Sequence, residues 1–207
     1  KKIRKYTNVP ITYYPNSYEK KTLTEANQHT KKIINTYFTG GFNIVFAGNI
    51  GSAQSMKTLV NSCEKLLKVN TNISIILFGS GSEYNWVEQQ IKYKKLTNLK
   101  LAGYIESEEI DYIYRNADAL LISLASHEIF SFTVPYKLQA YLAAGKPIIG
   151  SINGAAAEII RESKSGMVAP SESVDQLVNI ILEISEKSEG VRNEMGRRGK
   201  MYFEEKY

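Results

Sequence analysis

The chain has 207 residues, of which 43% are hydrophobic and 23% charged, a composition typical of a soluble globular protein with one principal domain and not of a disordered or fibrous chain. No apolar run approaches the roughly 20 residues that a membrane-spanning helix needs. The formal net charge of +5 does not indicate nucleic-acid binding, because residues 1–40 hold eight Lys or Arg against two Glu, whereas residues 41–207 hold eighteen basic against nineteen acidic groups.

The one cysteine is predicted to be a structural thiol. Cys63 is in phase with Met56, Leu59 and Val60 on what the spacing indicates is the apolar stripe of a helix. A chain that cannot form an internal disulfide fits a reducing, cytoplasmic location. The chain begins at Lys1 without a Met, so we expect the natural N-terminus to lie upstream.

From residue 43 onward, short β-branched or aromatic runs alternate with amphipathic stretches. The pattern predicts, in chain order, strand 43–47, helix 54–69, strand 73–78, helix 83–95, strand 99–102, a helix after residue 107, strand 119–123, helix 134–144, strand 147–150, helix 155–162, strand 166–169, and helices 173–187 and 190–205. Such alternation implies parallel pairing with right-handed crossovers. We therefore predict an α/β fold, a doubly wound parallel sheet of about six strands with Rossmann-like order.

Two of these helices carry recognisable end signals. Ser107 can cap a helix whose first turn would hold Glu108 and Glu109, where the helix dipole favours acidic side chains. Pro135 stands in the first turn of helix 134–144, and Gly145 follows its last residue.

Glycine-containing junctions follow four of the predicted strands, at residues 48–51, 79–81, 103–105 and 151–154. Open parallel sheets bind ligands at the carboxyl ends of their strands. A diphosphate needs backbone N–H groups and positive potential, and a glycine turn that opens onto a helix at Gln54 can supply both. A tight turn without a ligand is the structural alternative.

Five segments in order resemble the C-terminal half of glycosyltransferase family four: FAGNIGSAQSMKTLV, IILFGSGSE, LAGYIESEEIDYIYRNADALLISL, KLQAYLAAGKPIIGSINGAAAEII and SGMVAPSESVDQLV. The similarity extends in particular to bacterial transferases that build surface polysaccharide, including those that transfer N-acetyl-fucosamine. It implies a GT-B enzyme, with residues 1–41 as the end of an N-terminal domain and hinge, 42–187 as the nucleotide-sugar-binding domain, and 188–207 as a C-terminal helix.

The resemblance implies a diphosphate site on the first glycine turn and at the start of the helix near Thr133. Asn49 and Gln54 stand where many family members have Arg and Lys, so the usual pair of cations is missing, and Lys137 is the candidate replacement. A solvated surface lysine is the alternative for Lys137. The candidate diphosphate ligands are Gly48, Asn49, Gly51, Gln54, Phe132, Thr133 and Lys137.

The family's paired glutamates, eight positions apart, are not reproduced. The second falls at Ala140, which leaves Gln139 as the nearest polar substitute for holding the ribose. Glu128 resembles the first, and we expect it to lie with His127 on a loop that faces the donor sugar; a solvated pair is the alternative. The candidate nucleobase and ribose ligands are Gly79, Ser80, Gly103, Tyr104, Ile105 and Gln139.

The resemblance thus implies a retaining glycosyltransferase that uses a nucleotide diphosphate sugar, with the saccharide or lipid-linked acceptor held by an absent N-terminal domain.

Neither an Asp-x-Asp pair nor a Cys/His cluster is present, so we expect a metal-independent reaction without a cofactor. No residue is assigned as catalytic. The expected location is cytoplasmic, and a position peripheral to the inner membrane face is compatible with it. A non-catalytic nucleotide-sugar-binding module and a nucleotide-sugar epimerase of the same fold are the alternatives.

Overall fold

The computed structural model describes residues 6, 9–10, 18, 25–38 and 40–207. Most of residues 9–19, VPITYYPNSYE, which resemble the family's strand and Pro-Asn turn before the second domain, lies outside these residues. The helices and strands are α1 Gln28–Tyr37, β1 Phe42–Ala47, a 3-10 turn Ser52–Gln54, α2 Met56–Leu66, β2 Ile73–Phe78, α3 Tyr84–Lys94, β3 Leu99–Gly103, α4 Ile110–Asn116, β4 Ala119–Ser123, α5 Glu128–Ser131, α6 Tyr136–Ala144, β5 Ile148–Ser151, α7 Gly154–Glu162, β6 Gly166–Ala169, α8 Val174–Glu186 and α9 Glu189–Lys206.

The six strands form one parallel sheet in the order β3-β2-β1-β4-β5-β6. Successive side chains of β1 point to opposite faces, which the central strand of a two-faced sheet requires. Phe46 packs in a core with α2 and α8, whereas Val45 packs in a second core with α4, α6 and α7. The predicted doubly wound parallel fold is therefore confirmed.

The sheet opens where its strand order reverses, between β1 and β4. These strands pair only through Ile44 with Ala119 and Val45 with Leu120. Nearer the carboxyl end, the N–H of Ala47 donates instead to the hydroxyl of Tyr141, at 3.0 Å. Tyr141 is a fully buried residue of α6, so a side chain of this helix reaches β1 beyond the residues that pair with β4. Ligands of open α/β sheets bind at this kind of switch point.

Two helices begin at residues other than those that the sequence predicts. The Ser107 cap is wrong: α4 begins at Ile110, and the Ser107 hydroxyl donates to the Glu108 carboxylate. The helix predicted from Gln54 begins only at Met56, because a 3-10 turn and a left-handed Ser55 (φ 48°) precede it. Both differences arise from hydrogen bonds made by the loop, which hydrophobic spacing does not encode.

The sequence did not predict α1 or α5. Ile33 of α1 packs in the same core as Val45, and the carbonyl of Tyr37 accepts a hydrogen bond from Lys100 at 2.6 Å. Residues 28–38 therefore pack on the sheet with the elements that follow residue 42, although the sequence assigned them to the hinge segment. The domain boundaries drawn from the sequence stay a prediction.

Cys63 is fully buried, as predicted, and burial raises the pKa of its thiol. Across the described part of the chain, no helix combines the length and the apolar character needed to cross a membrane.

Candidate functional site

A groove of about 810 Å³ lies at the carboxyl ends of β1, β2 and β3. Its floor is formed by residues that directly follow these strands, and its walls by α4 and the first turn of α6. The lining residues are Tyr18, Ala47, Gly48, Asn49, Phe78, Gly79, Ser80, Tyr104, Ile105, Ser107, Ile110, Tyr114, Pro135, Tyr136, Lys137 and Ala140.

Two glycines allow the floor to form. Gly48 and Gly79 have φ values of +137° and +129°, which side chains disfavour. A Cβ on Gly79 would lie 2.0 Å from the carbonyl oxygen of Gly48, so the two loops touch through backbone alone. The Gly48 N–H donates to Phe78 and the Gly79 N–H donates to Gly103, which fixes the three loops in one surface. Backbone is therefore exposed to a ligand across this floor.

Lys137 lies over this floor. Its ammonium nitrogen is 4.0 Å from the centre of the Phe46 ring, and a Cβ on Gly48 would lie 2.7 Å from it. The nitrogen is buried and has no hydrogen-bond partner among the described residues. Burial lowers the pKa of Lys137 to about 8. A desolvated, unpaired ammonium lowers its free energy by binding an anion, so the groove contains a candidate anion site.

The start of α6 adds positive potential at the same place. Pro135 is its N-cap residue, no side chain caps the helix, and Pro135, Tyr136 and Lys137 all line the groove. The first N–H groups of an α-helix lack partners within the helix and attract anions. The sequence predicted this role for the helix after the first glycine turn and for the helix that begins near Thr133. Ser55 separates the first glycine turn from α2, whereas the first turn of α6 lines the groove.

The side-chain amides of Asn49 and Gln54 lie 3.3 Å apart, and the Gln54 amide nitrogen can donate to the carbonyls of Asn49 and Gly51. Asn49 also lines the groove, whereas Gln54 does not. The amide of Asn49 lies so close to Gly51 that a Cβ there would come within 2.7 Å of it. The two amides thus hold the turn, at positions where the resemblance led us to look for cations.

Seven of the predicted ligands line the groove together: Gly48, Asn49, Gly79, Ser80, Tyr104, Ile105 and Lys137. The predicted ligands that do not line it are Gly51, Gln54, Gly103, His127, Glu128, Phe132, Thr133 and Gln139. Ala140, the position of the missing glutamate, lines the groove, whereas the neighbouring Gln139 is buried elsewhere in α6. The binding roles of all these residues stay predictions.

The segment around His127 is a helical turn and not the predicted loop. His127 is the N-cap of α5, and its Nδ1 accepts a hydrogen bond from the N–H of Ile129 at 3.2 Å. Glu128 is the exposed first residue of this helix. Phe132 is 62% exposed, and the Thr133 hydroxyl donates to the carbonyl of Ile129. These four residues therefore lie beside the groove's lining and not within it.

The wall around α4 carries aromatic side chains. Tyr114, which helical spacing predicts on the same face of its helix as Ile110, is buried, packs edge-on against Tyr141 at 5.3 Å, and also lines the groove. Tyr136 and Tyr18 line the groove too. None of these three tyrosines was predicted as a ligand.

Neither a carboxylate nor a histidine belongs to the lining in the part of the chain that the structure describes. Within the same residues, no three His, Cys, Asp or Glu side chains are grouped in a way that could hold a metal ion. The groove thus combines one buried cation, a helix N-terminus, exposed backbone and an aromatic wall. This set suits a ligand with an anionic part and a ring.

Known proteins show the same fold and sequence pattern. The family model described as "Glycosyl transferases group 1" matches residues 27–201. The 2-deoxystreptamine N-acetyl-D-glucosaminyltransferase of Niallia circulans is 25% identical over 136 residues, 65% of this chain and 34% of the relative. The chain thus spans about a third of that protein's length.

Two solved structures illustrate the fold. A TarM variant of S. aureus, in complex with fondaparinux, alpha-GlcNAc-glycerol and UDP, superposes with a TM-score of 0.76 at 14% identity, over 100% of this chain and 38% of TarM. Anabaena HepE, in complex with UDP and glucose, superposes with a TM-score of 0.71 at 15% identity, over 88% of this chain and 49% of HepE. At these identities the structures establish the GT-B type of fold alone. Because the family model covers most of its length, the chain belongs to the glycosyl transferases group 1 family.

Proposed function

We propose that the groove binds the diphosphate of a nucleotide sugar, and that this chain is the donor-binding part of a retaining glycosyltransferase. The observation that carries the proposal is the buried ammonium of Lys137, which faces the backbone floor at Gly48 and has no hydrogen-bond partner among the described residues. A diphosphate would supply the missing acceptors. It would also meet the uncapped N-terminus of α6.

The same contacts would serve the chemistry. In transfer with retention, the bond between the anomeric carbon and the diphosphate oxygen breaks, and the acceptor hydroxyl bonds to that carbon on the same face. Negative charge grows on the leaving diphosphate, where the Lys137 ammonium and the N–H groups of α6 would stabilise it. The acceptor's proton would pass to the leaving phosphate. The proposed reaction uses no metal ion and no protein nucleophile from this chain.

Uridine is the proposed base of the donor. TarM and HepE were each solved with UDP, and their fold is the one found here. In this chain the aromatic side of the groove, with Tyr104 and Ile105 after β3, lies on the same lining as Lys137. A base placed there would leave its diphosphate directed towards the cation.

The remaining parts of the proposal rest on the sequence resemblance. We propose that the whole enzyme builds bacterial surface polysaccharide, with N-acetyl-fucosamine as a candidate donor sugar. An N-terminal domain would hold a saccharide or lipid-linked acceptor, and the enzyme would act in the cytoplasm, peripheral to the inner membrane face. The epimerase and non-catalytic alternatives predict the same donor contacts without transfer to an acceptor.

Binding is tested by titrating UDP, GDP, ADP, TDP and uridine into the 207-residue chain, with calorimetry and amide NMR shifts as readouts. We expect UDP to bind with or without chelator, and the largest shifts at Gly48, Gly79, Tyr104 and Lys137. Shifts confined to the opposite edge of the sheet, or no binding of any nucleoside diphosphate, would refute the proposal.

Transfer is tested with a lipid-linked acceptor extract and mass detection of the product. Positioning donor and acceptor in one cleft contributes about 7 to 11 kcal/mol to catalysis, and the proposal places the acceptor on another domain. We therefore expect no transfer by this chain alone, and chelator-insensitive transfer by the full-length enzyme. Turnover by the chain alone would contradict this division of roles. A full-length protein that binds UDP-sugar but transfers nothing would favour a binding module.

A further inference from the structure

Tyr18 connects three helices at one end of the groove. Its hydroxyl donates to a carboxylate oxygen of Asp111 on α4 at 2.6 Å. Its ring packs edge-on against Tyr136, the first residue of α6, with centroids 5.6 Å apart, and against Phe203 of α9 at 6.2 Å. Tyr18 is therefore held by groups that are distant from it in sequence and from one another.

The hydrogen bond from Tyr18 offsets part of the cost of burying the Asp111 carboxylate. Asp111 is 8% exposed, and its second carboxylate oxygen is buried without a hydrogen-bond partner among the described residues. A buried carboxylate that lost its bond to Tyr18 would be left without compensation for its desolvation. Burial and the neighbouring carboxylate raise the pKa of Tyr18, so the phenol keeps its proton and remains the donor.

Tyr18 also borders the proposed diphosphate site. It lines the groove, as do Tyr136 and Lys137, and Tyr136 directly precedes Lys137 in α6. A shift of Tyr136 would move the first turn of α6, and with it the base of the Lys137 side chain. Tyr136 is 51% exposed, and the edge-on contact with the Tyr18 ring is one of the contacts that restrain it.

We infer that Tyr18 is a positioning residue for donor binding: by joining Asp111 to Tyr136, it holds the first turn of α6 where Lys137 meets the diphosphate. This inference rests on the proposed function of the groove. It makes a residue of the segment that precedes α1 part of the donor site. Tyr18 should therefore affect the contact with the phosphates and not the contact with the nucleoside.

The experiment compares wild type with Tyr18→Ala, Tyr18→Leu and Tyr18→Phe in the 207-residue chain. The matched control is Tyr93→Ala, since Tyr93 is 83% exposed on α3 and does not line the groove. Calorimetry measures the dissociation constants of UDP and uridine from pH 7 to 9.5, and circular dichroism confirms folding. Tyr18→Leu keeps apolar bulk in case Tyr18→Ala does not fold.

We expect Tyr18→Ala or Tyr18→Leu to weaken UDP binding about three- to tenfold, the fold-change that loss of an aromatic pair implies. Uridine binding should change less than twofold. Tyr18→Phe keeps the ring contact and should fall between these variants and wild type. If water reaches a loosened Lys137, the pH at which UDP affinity halves should rise in the Ala and Leu variants, a shift that a loss of global stability would not produce.

The groups that face Lys137 are the Phe46 ring and the Gly48 backbone, and the other titratable side chains of the lining are Tyr18, Tyr104, Tyr114 and Tyr136.

If wild type binds no nucleoside diphosphate, the proposed function fails. If wild type binds UDP and the Ala and Leu variants bind it equally well, the Tyr18 inference fails alone. Equal losses for UDP and uridine, or an equal loss in Tyr93→Ala, would also overturn it.

Discussion

The two ends of the groove are built differently. The end at Gly48 is backbone and one buried ammonium, whereas the wall formed by Tyr104, Ile110 and Tyr114 is aromatic and aliphatic surface. Under the proposed function, binding at the first end would depend on a single charge and on the close approach of two loops. At the second end it would depend on contact area, which several side chains share. Substitutions should therefore separate the phosphate contribution from the nucleoside contribution.

The largest effect is expected for a variant that disturbs the backbone floor of the groove, where Gly48 and Gly79 touch. Gly79→Ala places a Cβ 2.0 Å from the Gly48 carbonyl oxygen at a φ of +129°. We expect the free energy of unfolding to fall by about 2 to 4 kcal/mol, measured by urea titration. Gly190→Ala is the control, because its Cβ would meet nothing within 4 Å, and we expect a change within about 0.5 kcal/mol. Equal stability of the two variants would show that the loops do not touch as described.

The second-largest effect is expected for a variant that removes the charge of Lys137 alone. Lys137→Met should weaken UDP binding about 5- to 30-fold, because a charge-assisted hydrogen bond is lost, and should leave uridine binding nearly unchanged. Calorimetry with both ligands measures the difference. The exposed Lys57, which lies outside the groove, provides the control Lys57→Met. Equal losses for UDP and uridine would mean that Lys137 acts through folding.

Titration of the same ammonium gives a pH dependence. With a pKa of about 8, the free site loses most of its charge between pH 7 and 9, so UDP affinity should fall about tenfold over that range. Lys137→Met should flatten the profile. A wild-type profile as flat as that of the variant would contradict the buried charge.

The free energy of unfolding of the ligand-free chain should change with pH in the direction opposite to UDP affinity. The pKa in the folded chain lies below the ordinary value of 10.5, so between about pH 8 and 10.5 the unfolded chain binds more protons. The contribution of Lys137 to the free energy of unfolding of the ligand-free chain should therefore rise with pH through that window. At pH 7, where the desolvation cost is fully present, Lys137→Met should be more stable than wild type. Urea titrations at pH 7 and pH 9.5 measure both, and a variant less stable at pH 7 would contradict the argument.

The smallest effect concerns the aromatic wall. Tyr104 is 63% exposed, so Tyr104→Ala should cost little stability. It should weaken UDP and uridine by the same factor, about three- to fivefold, because ring contact is lost without touching the phosphates. The comparison of the two ends would fail if this variant lost UDP binding selectively.

The strands illustrate what local patterns encode. β2, β4 and β6 occupy the predicted residues 73–78, 119–123 and 166–169, because short apolar runs between turn residues specify a strand without reference to the rest of the chain. The glycine turns were also placed correctly at the carboxyl ends, since backbone geometry at φ > 0 is a local demand. The starts of α2 and α4 were misjudged because loop hydrogen bonds decide them.

The sequence by itself determined the parallel α/β architecture, the edge of the sheet that carries the groove, and the family, through periodicity and ordered motifs. It also singled out Lys137, but as one of several possible phosphate contacts. Only the tertiary structure decided that the nitrogen of this lysine is buried over Gly48, that the first turn of α6 and not that of α2 lines the groove, and that Tyr18 completes the lining. Tyr18 and Asp111 are 93 positions apart, and such contacts depend on how helices pack, which no local pattern specifies.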